Sequence, residues 1–172
     1  VIAKNLGATV ICQDGTGKGD ALAKALENIE PQTEYVVITD ADFTYPAEKV
    51  PQMIKLLENN PEVGMVCGNR FNGKVDSQAL RPVFAIGNKL IAFVHTLLNG
   101  IKLQDPLTGL RVVRAQILRD WKVKSKGFEI EVELNQQVSR DGYEMVEIPI
   151  QYRQRLGEKK LGLKHSVEIF KR

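Results

Sequence analysis

The sequence predicts an α/β domain built on a mostly parallel sheet with helices on both faces. Three observations predict it. Strand-like apolar runs alternate with stretches of helical spacing. The runs are apolar throughout rather than at every second residue, which marks strands buried on both faces beneath helical crossovers. The length, 172 residues, suits one domain with a full core.

The elements follow in order. Ala8 to Cys12 (ATVIC) reads as a short strand. Lys18 to Asn28 has helical spacing, with Ala21, Leu22, Ala25 and Leu26 on one side. Tyr35 to Thr39 (YVVIT) is a second strand, and Ala47 to Asn59 a helix with Pro46 just before it. Val63 to Cys67 is a third strand. Beyond Gly68 come a long helix from Pro82 to Asn99, a strand-like run from Leu110 to Val113, a helix from Phe128 to Arg140 and a final strand from Met145 to Ile150. No repeat, low-complexity tract or linker interrupts them, so residues 1–172 read as a single domain. The chain opens inside a helix end, VIAKNLG, with Gly7 as its C-cap. An open nucleotide-binding sheet begins instead with a strand, so the expectation is a domain truncated at its N-terminus.

Composition excludes some classes. The content is 43% hydrophobic and 26% charged, ordinary for a folded domain. A net charge of +3 is too small to argue for a nucleic-acid partner. The charge is unevenly spread: Arg153, Arg155, Lys159, Lys160, Lys164, Lys171 and Arg172 face only Glu158 and Glu168 over residues 151–172. Cys12 and Cys67 sit in apolar runs without metal-ligand spacing, and read as buried, reduced thiols in a cytosolic setting. No signal peptide is visible. No stretch reaches the ~18 uncharged apolar residues of a spanning helix.

The sharpest chemical feature is Asp40-Ala41-Asp42 at the carboxyl end of YVVIT. Ligands bind at that edge of an open α/β sheet. Spacing i, i+2 on an extended chain sets both carboxylates on one side. Two hard oxygen ligands there suit Mg²⁺ or Mn²⁺ bridging to a diphosphate; a loop with capping acids before Pro46 is the plainer alternative. Gly15-Thr16-Gly17-Lys18-Gly19 is not a P-loop, since Gly19 follows Lys18 where Ser or Thr is needed. It reads either as a flexible turn or as a loop whose backbone N–H groups, with Lys18, approach a nucleotide.

GKGDAL, DADFTYP, GNRF, DPLTGLR, SKGFEIEVE, EIPIQYR and RLGEKKL occur in that order along the chain. Together they resemble the family-2 glycosyltransferases, especially the polyprenyl-phosphate sugar synthases such as dolichol-phosphate mannose synthases. The resemblance implies a Rossmann-like GT-A nucleotide-diphospho-sugar transferase fold. The family's opening strands, which hold the donor's base and ribose, have no counterpart here.

The resemblance also implies roles. Asp40 and Asp42 hold the metal and the donor diphosphate, Asp42 being the closer ligand. Lys18 lies near the donor. Arg70 faces the acceptor phosphate, and Arg81 falls where a second such arginine stands. Asp105 and Gly109 match a D-x-x-x-G segment beside the reacting centre. Gly127, Phe128 and Glu133 match a G-aromatic segment and its glutamate. Arg155 and Lys160 match a loop that closes over the site, with Lys159 replacing that loop's serine. Asp42, Asp105 and Arg155 are thus the candidate catalytic residues. Plainer readings stand beside these. Asp105 can cap the turn before Pro106, and of Glu129, Glu131 and Glu133 the middle one points away from the others, so some should be surface acids.

The implied chemistry is inverting transfer of a sugar from a GDP- or UDP-sugar, assisted by Mg²⁺ or Mn²⁺. A lipid-phosphate acceptor, polyprenyl or dolichyl, is already anionic near neutral pH; it needs charge screening by Arg and Lys. A sugar hydroxyl would need a carboxylate base. Arg70, Arg155 and Lys160 outnumber the one base candidate, Asp105, which favours the phosphate. In Pro82 to Asn99, Ile86, Leu90, Phe93, Val94, Leu97 and Leu98 share one face. Residues 80–100 therefore suit a membrane-interface helix, and equally a helix packed on the core; the resemblance implies the interface, at the cytoplasmic face of a membrane. QILRDW (Gln116 to Trp121) misses the Gln-x-x-Arg-Trp of processive synthases by the inserted Asp120. A transferase acting on a sugar hydroxyl and a non-catalytic nucleotide-sugar-binding protein remain alternatives.

Overall fold

The structure is a computed structural model, and it describes residues 2–72, 100–127 and 129–154. After a short helix α1 (Ile2–Asn5) come α2 (Lys18–Leu26), β1 (Tyr35–Ile38), a 3₁₀ turn (Ala47–Lys49), α3 (Val50–Asn59) and β2 (Val63–Asn69). Then follow β3 (Arg111–Arg114), α4 (Ala115–Arg119), α5 (Ile130–Arg140) and β4 (Glu144–Pro149). The 3₁₀ start before α3 has a simple cause: Pro51, in the first turn of α3, has no N–H to bond back into it.

The sheet order is β1-β3-β2-β4. β1, β2 and β4 run in one direction, and β3 is reversed, antiparallel to both neighbours. This reversal builds the functional edge. It pairs Arg111, at the start of β3, with Ile38 at the end of β1 and Cys67 near the end of β2. The segment leading into β3 therefore arrives at the same edge as the segments leaving β1 and β2. β4 ends there too, pairing Pro149 with Asn69.

Helices cover both faces, as expected. Val66 and Val112 point to one face, where Met53 and Leu57 of α3, Tyr45, Leu110 and Ile150 pack. Met65, Cys67 and Val113 point to the other, against Ile117 and Leu118 of α4 and Ile130, Leu134 and Val138 of α5, with Leu22 and Leu26 of α2 alongside. Every residue of β2 is buried, the signature of a strand covered twice.

Two expectations need correction. Ala8 to Cys12 forms no strand; the segment is exposed and irregular. A five-residue apolar run becomes a strand only when a neighbour accepts its hydrogen bonds, and no described strand pairs with it. Cys12 is accordingly exposed, whereas Cys67 is buried as expected, its thiol pushed up to about 12 chiefly by burial. Gly7 does end α1, with φ 81° and the Ala8 N–H donating to the Ala3 carbonyl. Helix α4 has no signature in the sequence, since five residues cannot display a helical period. The Pro82 to Asn99 helix lies outside the described residues. No described helix is long and apolar enough to cross a membrane.

Candidate active site

Three clusters form along the edge. The first is built on the end of β1. Asp40 Oδ1 accepts a hydrogen bond from Lys18 Nζ at 2.9 Å, and Lys18 also donates to Glu131 Oε1 at 2.7 Å. Burial would lower the Lys18 pKa, but Glu131 and then Asp40 more than offset it and raise it. Gly109 closes the back of Asp40: a Cβ there would lie 2.5 Å from Asp40 Oδ2 and 2.9 Å from Tyr45 Cε2. The Gly109 N–H donates to Tyr45 Oη at 2.6 Å. A crevice lined by Lys18, Ile38, Thr108, Gly109 and Glu131 opens beside the ion pair.

Lys18 is aimed by packing between two glycine turns. Gly19 donates its N–H to the Lys126 carbonyl at 2.9 Å. Side chains at Gly17 or Gly19 would sit 2.2 Å from Lys126 O and 1.9 Å from Ser125 O. The 124–127 segment is held in turn by α5. Glu133 accepts from the N–H groups of Lys124 and Ser125 at 2.8 and 2.7 Å and from the Ser125 hydroxyl. Glu129 accepts from Lys126 and Gly127 N–H. The first turn of α2 thus spends the Gly19 N–H on protein rather than offering it to a nucleotide. Of the three glutamates at the start of α5, Glu131 is the one that meets Lys18. It is buried, while Glu133 anchors a loop.

The second cluster holds Asp42. Its Oδ1 accepts from the Thr44 N–H at 3.1 Å and the Thr44 hydroxyl at 2.5 Å, a local turn of the kind Asp favours. Between them Phe43 takes φ 70°, a backbone state that costs a non-glycine residue on the order of 1–3 kcal/mol. Thr44 is buried. Its carbonyl accepts the Arg153 N–H at 3.0 Å, and the Arg153 guanidinium lies 5.0 Å over the Phe43 ring while pairing with Glu48. The segment after β4 therefore clamps the turn that carries Asp42.

The third cluster is an ion pair between the fully buried Asp105 and the largely buried Arg70. Asp105 Oδ2 accepts from the Arg70 N–H at 3.0 Å and from Nε at 2.7 Å, and Oδ1 accepts from Nη2 at 2.6 Å. The Arg70 guanidinium sits 5.7 Å from the Phe71 ring and 5.6 Å from the Tyr152 ring. Glu147 accepts from the N–H groups of Gln104 and Asp105, both at 2.8 Å. Asp105 is thus a partner of Arg70 rather than a simple turn cap. Arg81, Phe128, Arg155 and Lys160 lie outside the described residues.

Among the described residues no group of three or more His, Cys, Asp or Glu is placed to hold a metal. The donor chemistry still fits Mg²⁺ or Mn²⁺, because Mg²⁺ sites commonly use one or two carboxylates and complete the shell with water and substrate phosphates. Asp40, half-exposed at the strand end, and Asp42, set by Thr44, supply such a pair.

Solved structures share this architecture. Glucosyl-3-phosphoglycerate synthase from Mycobacterium tuberculosis, crystallised with Mn²⁺ and UDP-glucose, matches with a TM-score of 0.71 at 18% identity, over 98% of this chain and 58% of its own. Its complex with Mn²⁺, UDP and phosphoglyceric acid gives 0.69 over 98% and 59%. The class is therefore the Rossmann-like GT-A fold of glycosyltransferases.

Within that class, the chain belongs to glycosyl transferase family 2, whose profile matches residues 1–121. A dolichyl-phosphate hexose transferase of Haloferax volcanii is 33% identical over 162 residues, 93% of this chain and 67% of the relative. An undecaprenyl-phosphate mannosyltransferase of Micrococcus luteus is 30% identical over 159 residues, 87% of this chain and 61% of the relative. The glycosyltransferase AglJ of Haloferax volcanii, 30% identical over 151 residues, is matched over 88% of this chain and 48% of its own length. The chain thus spans about half to two thirds of these relatives.

Proposed function

We propose that the protein transfers a sugar from a GDP- or UDP-sugar to a polyprenyl or dolichyl phosphate, with inversion and with Mg²⁺ or Mn²⁺. Residues 1–172 are read as its GT-A catalytic domain, working at the cytoplasmic face of a membrane. The observation that carries the acceptor is the Arg70–Asp105 pair. Asp105 was the carboxylate nearest to a base role, and it is fully buried and gripped through both oxygens by Arg70. With both oxygens occupied by Arg70 and no exposed surface, the carboxylate is not presented to an acceptor hydroxyl, as a base must be. A phosphate nucleophile needs no base, and it is the acceptor that two relatives' names carry.

In this reading Asp40 and Asp42 hold the metal and the donor diphosphate, with Lys18 beside them. A bound divalent ion stabilises the charge that builds on the departing nucleoside diphosphate. Thr44 sets the Asp42 carboxylate. Arg70 is oriented by Asp105, and Arg81, Arg155 and Lys160 screen the acceptor phosphate. Gly109 leaves room for Asp40. A donor screen on the full-length protein tests this: GDP- and UDP-sugars offered with polyprenyl phosphate, with and without EDTA. Sugar transfer to the lipid that EDTA abolishes supports the reading, and donor consumption without a lipid product overturns the acceptor.

A further inference from the structure

Lys18 holds a place in the site that neither the DAD pair nor the acceptor chemistry explains. Its ammonium lies between Asp40 and Glu131 at 2.9 and 2.7 Å, on the carboxylate proposed to hold the metal. Glu131 is 8% exposed, and its second oxygen, Oε2, is buried with no hydrogen-bond partner. A buried carboxylate with one oxygen unsatisfied is costly unless its charge is balanced, and Lys18 is the cation that balances it. Without Lys18, Asp40 and Glu131 would be two acids at one crevice.

We infer that Lys18 is a built-in counter-cation that competes with the divalent ion for Asp40 until the donor arrives. The inference rests on the metal reading above. The diphosphate of the donor is a stronger anion than either carboxylate. When it binds, Lys18 keeps Glu131 and exchanges Asp40 for a phosphate oxygen, and Asp40 becomes available to the metal. Metal and nucleotide then bind with positive coupling, and linkage makes the coupling reciprocal. Glu131 is the positioning residue: its share of the ammonium keeps the Lys18–Asp40 bond weak enough to break.

Mn²⁺ binding to the full-length protein tests this, followed by the EPR signal of free Mn²⁺, alone and with GDP or with UDP. A protein-free control corrects for chelation by the nucleotide. Wild type is expected to bind Mn²⁺ about tenfold or more tighter with nucleotide, within the usual range of such couplings. Lys18→Met should bind Mn²⁺ alone about tenfold tighter than wild type, and the enhancement by nucleotide should shrink by a similar factor. Glu131→Gln should bind Mn²⁺ alone more weakly than wild type, since Lys18 then falls to Asp40. A purely long-range charge effect would shift both Mn²⁺ affinities equally and leave the enhancement intact, and that result overturns the inference. If Lys18→Met fails to fold, as judged by its melting curve, Glu131→Gln decides: unchanged or tighter Mn²⁺ binding overturns it. Wild type that binds no Mn²⁺ even with nucleotide overturns the metal reading and the inference with it.

Discussion

Asp105 and Arg70 form a bidentate pair, 2.7 Å from Oδ2 to Nε and 2.6 Å from Oδ1 to Nη2, with the Asp105 carboxylate entirely removed from solvent. The two residues lie 35 positions apart and meet because β3 runs against its neighbours.

Removing one partner of this pair strands the other charge in the interior. Asp105→Ala and Arg70→Ala should each destabilise the protein by about 3–5 kcal/mol. The double variant Arg70→Met, Asp105→Leu should lose less than either single, because no charge is then left buried. Chemical denaturation of the three variants checks this.

Gly109 and Gly19 should respond differently to a methyl group. Gly109→Ala places Cβ against the Asp40 carboxylate and the Tyr45 ring, both side chains, so overpacking should cost about 1–3 kcal/mol and displace Asp40. Folded protein with turnover lowered at least tenfold is the expected outcome. At Gly19 the obstacle is the Ser125 backbone carbonyl at 1.9 Å, so Gly19→Ala should be the less stable of the two by thermal melting.

Much of this edge was legible in the sequence. YVVIT is apolar enough to name a strand, which sets Asp40 and Asp42 at its carboxyl end; the burial expected on both faces does not hold, because β1 is the edge of the described sheet and Val37 is exposed. Glu131 was not legible. Its spacing sets it opposite Glu129 and Glu133 without saying which of the three is internal, and it is the contact with Lys18, 113 positions away, that singles it out. The ATVIC run misled for the opposite reason: apolar residues name a strand only when a partner is present.

Glu147 gives a pH signature. Burial is the main cause that raises its pKa in the fold, opposed by the N–H groups of Gln104 and Asp105. A raised folded-state pKa contributes stability that is present below the unfolded value and lost as pH rises through the folded value. Wild type should therefore lose stability relative to Glu147→Gln as pH climbs from the ordinary carboxylate range through that raised value. Denaturation midpoints of both proteins across mildly acidic pH check the sign; a flat difference contradicts it.

Asp42→Asn removes one hard oxygen ligand while keeping a side chain that Thr44 can still hold. Turnover of the full-length protein should fall at least a hundredfold, within the range seen for losing a preorganised electrostatic contact (about 10²–10³). Thr44→Val should fall less, and Thr44→Ser, which keeps the hydroxyl, should stay near wild type. Initial rates at saturating Mn²⁺ measure all three.

Transfer to a phosphate without a protein base is decided by which acceptor receives the sugar. Full-length protein would be given a labelled nucleotide sugar, Mn²⁺, and either a polyprenyl phosphate or the same polyprenol lacking the phosphate, alongside a glycan with free hydroxyls. Labelled sugar is expected on the polyprenyl phosphate alone, joined through a phosphodiester. Equal or greater transfer to the glycan hydroxyl would contradict it.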